Sequence, residues 1–191
     1  IYSIIGFGLM LLVGFTGQIS LGHAGFLAVG AYTEAILASH GVPLFISLPA
    51  SMFIAGLVGI VVGLPALRLK GIYLAIATLA ANVIIEEILA RWESLTKGNA
   101  GMAVEPIKMF DRIISGGHEF YYLCLGLAVC ICLLIINLLR SPTGRAFIAI
   151  RDSETSASCM GINLSKYKTL SFSLSAAITG LAGALYAHQV A

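Results

Sequence analysis

The chain has 191 residues, of which 59% are hydrophobic and only 10% charged, and its mean hydropathy is +0.97. A water-facing domain carries about 25% charged residues to wet its surface. With 11 basic and 9 acidic side chains, an ordinary soluble enzyme, a disordered tail and a disulfide scaffold are excluded, and the net charge of +2 has no basic cluster to hold nucleic acid. What remains is an all-α polytopic membrane protein whose outer surface meets lipid.

Six apolar stretches, over residues 1–16, 24–39, 43–67, 71–90, 120–139 and 169–190, predict a bundle of about six transmembrane helices. About 20 residues at 1.5 Å rise cross a hydrocarbon core of about 30 Å, and the last four stretches meet that length. The first two reach only about 24 Å. They are short tilted spans or two pieces of one broken span. The chain opens at Ile1 inside apolar sequence and stops at Ala191 with a helical pattern still running, so residues 1–191 read as one membrane domain cut at both ends.

Between the first two stretches, residues 14–25 (GFTGQISLGHAG) carry Thr16, Gln18, Ser20 and His23 among four glycines and no charge. Backbone that leaves the helix at membrane depth must be buried in protein or line a cavity, because lipid supplies no hydrogen bonds. Gly-interrupted apolar pieces point to a transporter's binding region; a tight glycine turn with His23 bridging two helices is the alternative. His23 has no partner at metal-ligand spacing. Further along, Glu34 lies five residues before Ser39, the end of the second stretch. It reads either as an outer-interface residue or as an intramembrane carboxylate with a function. Gly59 and Gly63 form a GxxxG step for close helix packing.

In the fourth stretch Asn82 is a candidate interhelical hydrogen bonder, and Glu87 with Arg91 makes a favourable i,i+4 pair. The segment 91–119 is a long loop in which Ile107, Phe110, Ile113 and Ile114 recur at roughly helical spacing, suggesting a short interfacial helix. Cys124, Cys130, Cys132 and Cys159 lack paired metal-ligand spacing and read as small packing residues. In the segment 140–168, Ser141-Pro142 supplies an N-cap and first helical residue, and Gly161 ends the helix. Ala146, Phe147, Ile150, Ala157 and Met160 fall on one face, rimmed by Arg145, Arg151, Asp152 and Glu154. Such a helix docks into a partner's groove or lies on the membrane surface. Ala176, Gly180 and Ala184 form a second small stripe in the last stretch.

Basic residues set the orientation. Arg68 and Lys70 share a side with Arg140, Arg145, Arg151, Lys166 and Lys168, and these seven place that side in the cytoplasm; Arg91, Lys97, Lys108 and Arg112 leave 91–119 external.

The run TGQISLGHAGFLAVGAYTEAIL (Thr16 to Leu37) resembles the signature of branched-chain amino acid ABC transporter permeases of the LivM type. The same family order continues in LRLKGIYLAIATLA (Leu67 to Ala80), TKGNAG (Thr96 to Gly101), SPTGRAFIAIRDSETSASCMGIN (Ser141 to Asn163) and FSLSAAITGLAGALYAH (Phe172 to His188). Departures fall at Glu34, Ala81, Val83, Glu86, Lys97 and Ser156. The resemblance implies a permease subunit of an importer in the bacterial cytoplasmic (inner) membrane. Its implied partners are ATP-binding cassette subunits, a second permease subunit and an external or periplasmic substrate-binding protein.

It also implies an EAA-like coupling pattern at Glu154, Ala157 and Gly161, within a coupling loop that holds Arg145, Phe147, Ile150 and Arg151. The chain has no GxxxxGK[ST] loop and no nucleophile–base pair, so ATP would be used by a partner, and no cofactor or metal is expected on this chain. Thr16, Gln18, Ser20, His23, Glu34 and Asn82 are the expected pathway residues. Rival readings are a urea or amide permease of the same architecture and an ion-coupled secondary transporter.

Overall fold

The computed structural model describes residues 1–66, 69, 71–98, 102, 107–109, 112–114 and 118–190. The basic pair Arg68 and Lys70, much of the TKGNAG run, and Phe110 lie outside the described residues.

The described elements are almost entirely helical. Helix α1 (Tyr2–Leu9) continues into a π-helical stretch (Met10–Phe15). Then follow α2 (His23–Ser39), α3 (Leu44–Ala66), α4 (Ile72–Arg91) and a one-turn α5 (Glu93–Thr96). After two three-residue strands, β1 (Ile107–Met109) and β2 (Arg112–Ile114), come α6 (His118–Arg140), α7 (Pro142–Asp152), α8 (Glu154–Cys159) and α9 (Leu164–Val190). All six predicted apolar stretches are therefore helices. Four of them, α3, α4, α6 and α9, are long and apolar enough to cross a membrane; Tyr2–Phe15 and the 17-residue α2 are shorter. Among the described residues, the expected count of about six spans is corrected to four full-length helices plus a short pair that meets at the glycine-rich break.

Helix α9 is the axis of the bundle. In its most apolar stretch 72% of residues are buried inside the chain, against 33% in α3 and 17% in α4 and α6. Small residues make that burial possible, because helices in lipid associate by close van der Waals approach. A Cβ on Gly30 would overlap the Gly180 backbone, one on Gly183 would overlap Leu27, and one on Gly180 would overlap Ala55. The GxxxG step also works as expected, with Gly59 against Ala176 and Gly63 against Phe172. The poorly buried α4 and α6 carry large exposed apolar side chains such as Tyr73, Val83, Tyr122 and Leu133.

Two local expectations fail. Ile107, Ile113 and Ile114 do not lie on a helix: β1 and β2 pair antiparallel, with Ile107 opposite Ile114 and Met109 opposite Arg112. Eight residues are too few for a helical period to outweigh the β preference of isoleucine. The helix expected across 141–161 is also broken. Ser153 is extended (φ −163°, ψ 113°), and its side chain accepts the Ser156 N–H at 3.3 Å to cap α8. Serine competes with the helical backbone in this way and so favours caps over helix interiors. The outer limits hold: Ser141 caps α7 and accepts the Gly144 N–H at 3.4 Å, while Gly161 follows α8 at φ +80°, a conformation that favours glycine.

Candidate functional site

The π-helical stretch ends at Thr16, where Gly17 turns the chain at φ +67° and presents its bare face to Arg151. Thr16, Gln18, Ser20 and His23 are all buried, at 3–8% exposure, so the polar face of the glycine-rich break turns into the bundle while Ile19 and Leu21 stay exposed. Its side chains line up along α9. Gln18 Nε2 donates to Thr16 Oγ1 (3.0 Å) and to Ser171 Oγ (2.8 Å). One turn further, His23 Nε2 meets Ser175 Oγ at 2.8 Å, and Ser175 Oγ donates to Gly8 O at 2.6 Å. Gly8 permits that approach: a Cβ there would sit 2.8 Å from Thr179 Oγ1.

On the other side of the break, the Leu21 N–H donates to Thr78 Oγ1 of α4 at 2.9 Å, and Ser20 Oγ accepts the Gly22 N–H at 3.3 Å. Thr78 lies six residues into α4, about 9 Å along its axis. The break is therefore set back from the helix ends. Protein groups take the Gln18, Leu21, Gly22 and Gly25 N–H groups of the break.

Glu34 is buried inside the chain, five residues before the end of α2. It is 1% exposed, and its Oε1 accepts from Ser47 Oγ (2.7 Å) and His188 Nε2 (3.0 Å), with Ser51 Oγ 3.5 Å from Oε2. These contacts fasten α2 to α3 and α9 at a second polar centre. Asn82 is half-buried beside Gly25, where a Cβ would lie 3.1 Å from its Oδ1, and its side chain makes no hydrogen bond to other described residues. The structure thus gathers Thr16, Gln18, Ser20 and His23, sets Glu34 apart, and leaves Asn82 outside both clusters. Glu87 and Arg91 form their predicted pair at the exposed end of α4.

The α7–α8 segment is bound directly to this framework. Ala146, Phe147, Ile150 and Ala157 are buried, with the Phe147 ring edge-on to Tyr167 at 6.3 Å. The apolar face is therefore spent within this chain and is not open to a partner's groove. Met160, expected on the same face, is 84% exposed, because the break at Ser153 turns the end of α8 outward.

Two charged groups of the predicted rim bind other parts of this chain: the exposed Arg151, also paired with Asp152, donates from Nη1 to Gly14 O at 3.1 Å, and Glu154 Oε1 takes the buried Lys168 ammonium at 2.6 Å. Lys168 O in turn accepts from Ser171 Oγ at 2.8 Å. Glu154 is thereby linked through α9 to Gln18. Arg145 and Gly161 stay on the exposed face.

Ser171, Ser175, Thr78, Ser47, Ser51 and the His188 partnership are neighbours of the candidate residues that motif reading missed. A signal was present. Lys168, Ser171, Ser175 and Thr179 recur every three or four residues along α9, which is one polar stripe. An apolar groove of about 320 Å³ between α3 and α9, lined by residues including Met52, Phe53 and Ser173, contains none of the predicted site residues.

A family model described as the permease component of the branched-chain amino acid transport system matches residues 1–191. The chain belongs to this family. The relatives it resembles include the high-affinity branched-chain amino acid transport system permease protein LivM of Escherichia coli, 35% identical, and that of Salmonella typhimurium, 34% identical. Each of these matches covers 99% of this chain and 50% of the relative. A probable branched-chain amino acid transport permease protein LivM of Methanocaldococcus jannaschii is 29% identical over 71% of this chain and 41% of the relative. This permease-family chain spans about half the length of the curated relatives it matches. No solved structure matches it significantly.

Proposed function

We propose that this chain is the core of a permease subunit of an ABC importer for branched-chain or other hydrophobic amino acids in the bacterial inner membrane. ATP would be hydrolysed by separate cassette subunits, substrate delivered by an external or periplasmic binding protein, and the pore completed by a second permease subunit. The observation that carries the reading, beside family membership, is the physical link between α7–α8 and the glycine-rich break. Arg151 holds the Gly14 carbonyl, and Glu154 holds Lys168 one turn from the Ser171 that binds Gln18.

Under this reading the segment 140–168 is cytoplasmic and 91–119 external. The exposed face with Arg145 and Gly161 meets the ATPase, while Phe147, Ile150, Ala157, Arg151 and Glu154 pass its movement to the bundle. Thr16, Gln18, Ser20 and His23 line the path that alternating access opens to one side and then the other, with Glu34 and Asn82 bordering it.

The test is reconstitution of the full-length chain with its companion subunits in proteoliposomes, followed by ATPase and uptake assays with leucine, isoleucine, valine and urea. ATPase activity stimulated by a binding protein loaded with a branched-chain amino acid supports the importer. Stimulation by urea alone would move the assignment to a urea permease. Uptake that persists without any ATPase subunit would replace it by an ion-coupled carrier.

A further inference from the structure

The hydrogens of the Gln18–His23 cluster can be assigned one by one. Thr16 Oγ1 donates to Leu12 O (2.6 Å), Ser171 Oγ to Lys168 O (2.8 Å) and Ser175 Oγ to Gly8 O (2.6 Å); a carbonyl can only accept, so these three hydroxyl protons are committed. Thr16 and Ser171 must then accept both amide hydrogens of Gln18, which fixes the orientation of its amide and leaves Oε1 as a bare acceptor. By the same logic Ser175 accepts from His23 Nε2–H, so in the neutral imidazole His23 Nδ1 carries a lone pair.

Both remaining atoms, Gln18 Oε1 and His23 Nδ1, are buried without a hydrogen-bond partner. Thr179 offers nothing, because its hydroxyl donates to Ser175 O at 2.9 Å, and the Ser20 hydroxyl bonds neither atom. Gln18 is 4% and His23 8% exposed, so bulk water does not serve them. Their anchoring serines, Ser171 and Ser175, are i,i+4 neighbours, whose Cβ atoms lie about 5–6 Å apart on a helix. The side chains that carry these two unmet acceptors are therefore anchored on adjacent turns of α9, and a buried acceptor left unmet bears its full desolvation cost. No carboxylate belongs to this hydrogen-bonded cluster, which disfavours a divalent cation.

We infer that the Gln18–His23 cluster binds a hydrogen-bond donor, supplied either by an ordered water molecule or by the primary ammonium group of an amino acid. Only the ammonium arm rests on the importer reading. The test is electron cryomicroscopy of the full-length chain with its companion subunits in lipid nanodiscs, at a resolution that reveals ordered water, with and without leucine-loaded binding protein. The expected result is density within hydrogen-bond distance of both Gln18 Oε1 and His23 Nδ1. Density already present without amino acid assigns water; density present only with leucine assigns the ammonium.

Gln18→Met, which removes one acceptor, should lose that density; if this variant fails to fold, the unsubstituted maps still decide. A dry contact in every state, or a Gln18 side chain turned so that Oε1 takes a protein donor, overturns the inference. Density in the resting map without any leucine-stimulated ATPase activity would leave the site standing and sink the importer reading instead.

Discussion

Single side chains decide how closely this bundle closes. Gly30 and Gly180 face each other so tightly that any Cβ on the former meets the latter's backbone. Gly180→Val should therefore abolish the monodisperse peak in size-exclusion chromatography of the detergent-extracted protein, whereas Gly126→Ala on α6, with open space around it, should keep it. Glu34 works by hydrogen bonding. His188→Ala removes a donor from a carboxylate that is 1% exposed, at a cost of about 1–3 kcal/mol in thermal unfolding. Replacing both, as Glu34→Leu with His188→Phe, should recover part of that loss, because an apolar pair leaves no polar group stranded. The sequence made Glu34 conspicuous, but its partner lies 154 residues away, a separation that no local pattern spans.

At the scale of elements, α7 and α8 act as a unit clamped to α9. Glu154→Ala strands the Lys168 ammonium at 5% exposure, so it should destabilise the protein by about 3 kcal/mol and uncouple ATP hydrolysis from uptake. A double-mutant cycle with Lys168→Met isolates the pair and checks the assignment, since a coupling energy near zero would contradict it. The caps of this unit were legible because Ser141-Pro142 and Gly161 act through local backbone geometry. The break at Ser153 was not, because a hydroxyl able to cap α8 looks the same in sequence as one pointing to solvent. Likewise the amphipathic face was legible, but what it covers was not: Phe147 and Ile150 pack within their own chain.

The whole molecule has one well-buried axial helix, α9, and two helices, α4 and α6, that hide little of their surface inside the chain. If the α7–α8 end faces the cytoplasm, the exposed Cys159 should react with a membrane-impermeant maleimide in inverted vesicles and stay unlabelled in intact spheroplasts. Cys130, exposed on the apolar α6, should be shielded by lipid in both. Labelling of Cys159 in intact spheroplasts would invert the orientation derived from the basic residues.

Sequence alone determined the membrane class, the positions of the six apolar helices, the outer caps of the α7–α8 unit and the small-residue stripes. Each of these follows from composition or from a period of a few residues along one chain. Tertiary structure decided that the glycine-rich break is buried against α9, that Glu34 is a shared acceptor of three side chains, and that the α7–α8 unit is wired to Lys168 and Gly14. Those facts depend on which helix faces meet, across 137 and 154 residues for Arg151–Gly14 and Glu34–His188 and across only 13 to 17 for Glu34 with its serines and for Glu154–Lys168. Such pairing is set by backbone close approach and hydrogen-bond satisfaction in three dimensions, not by any spacing that can be read along the chain.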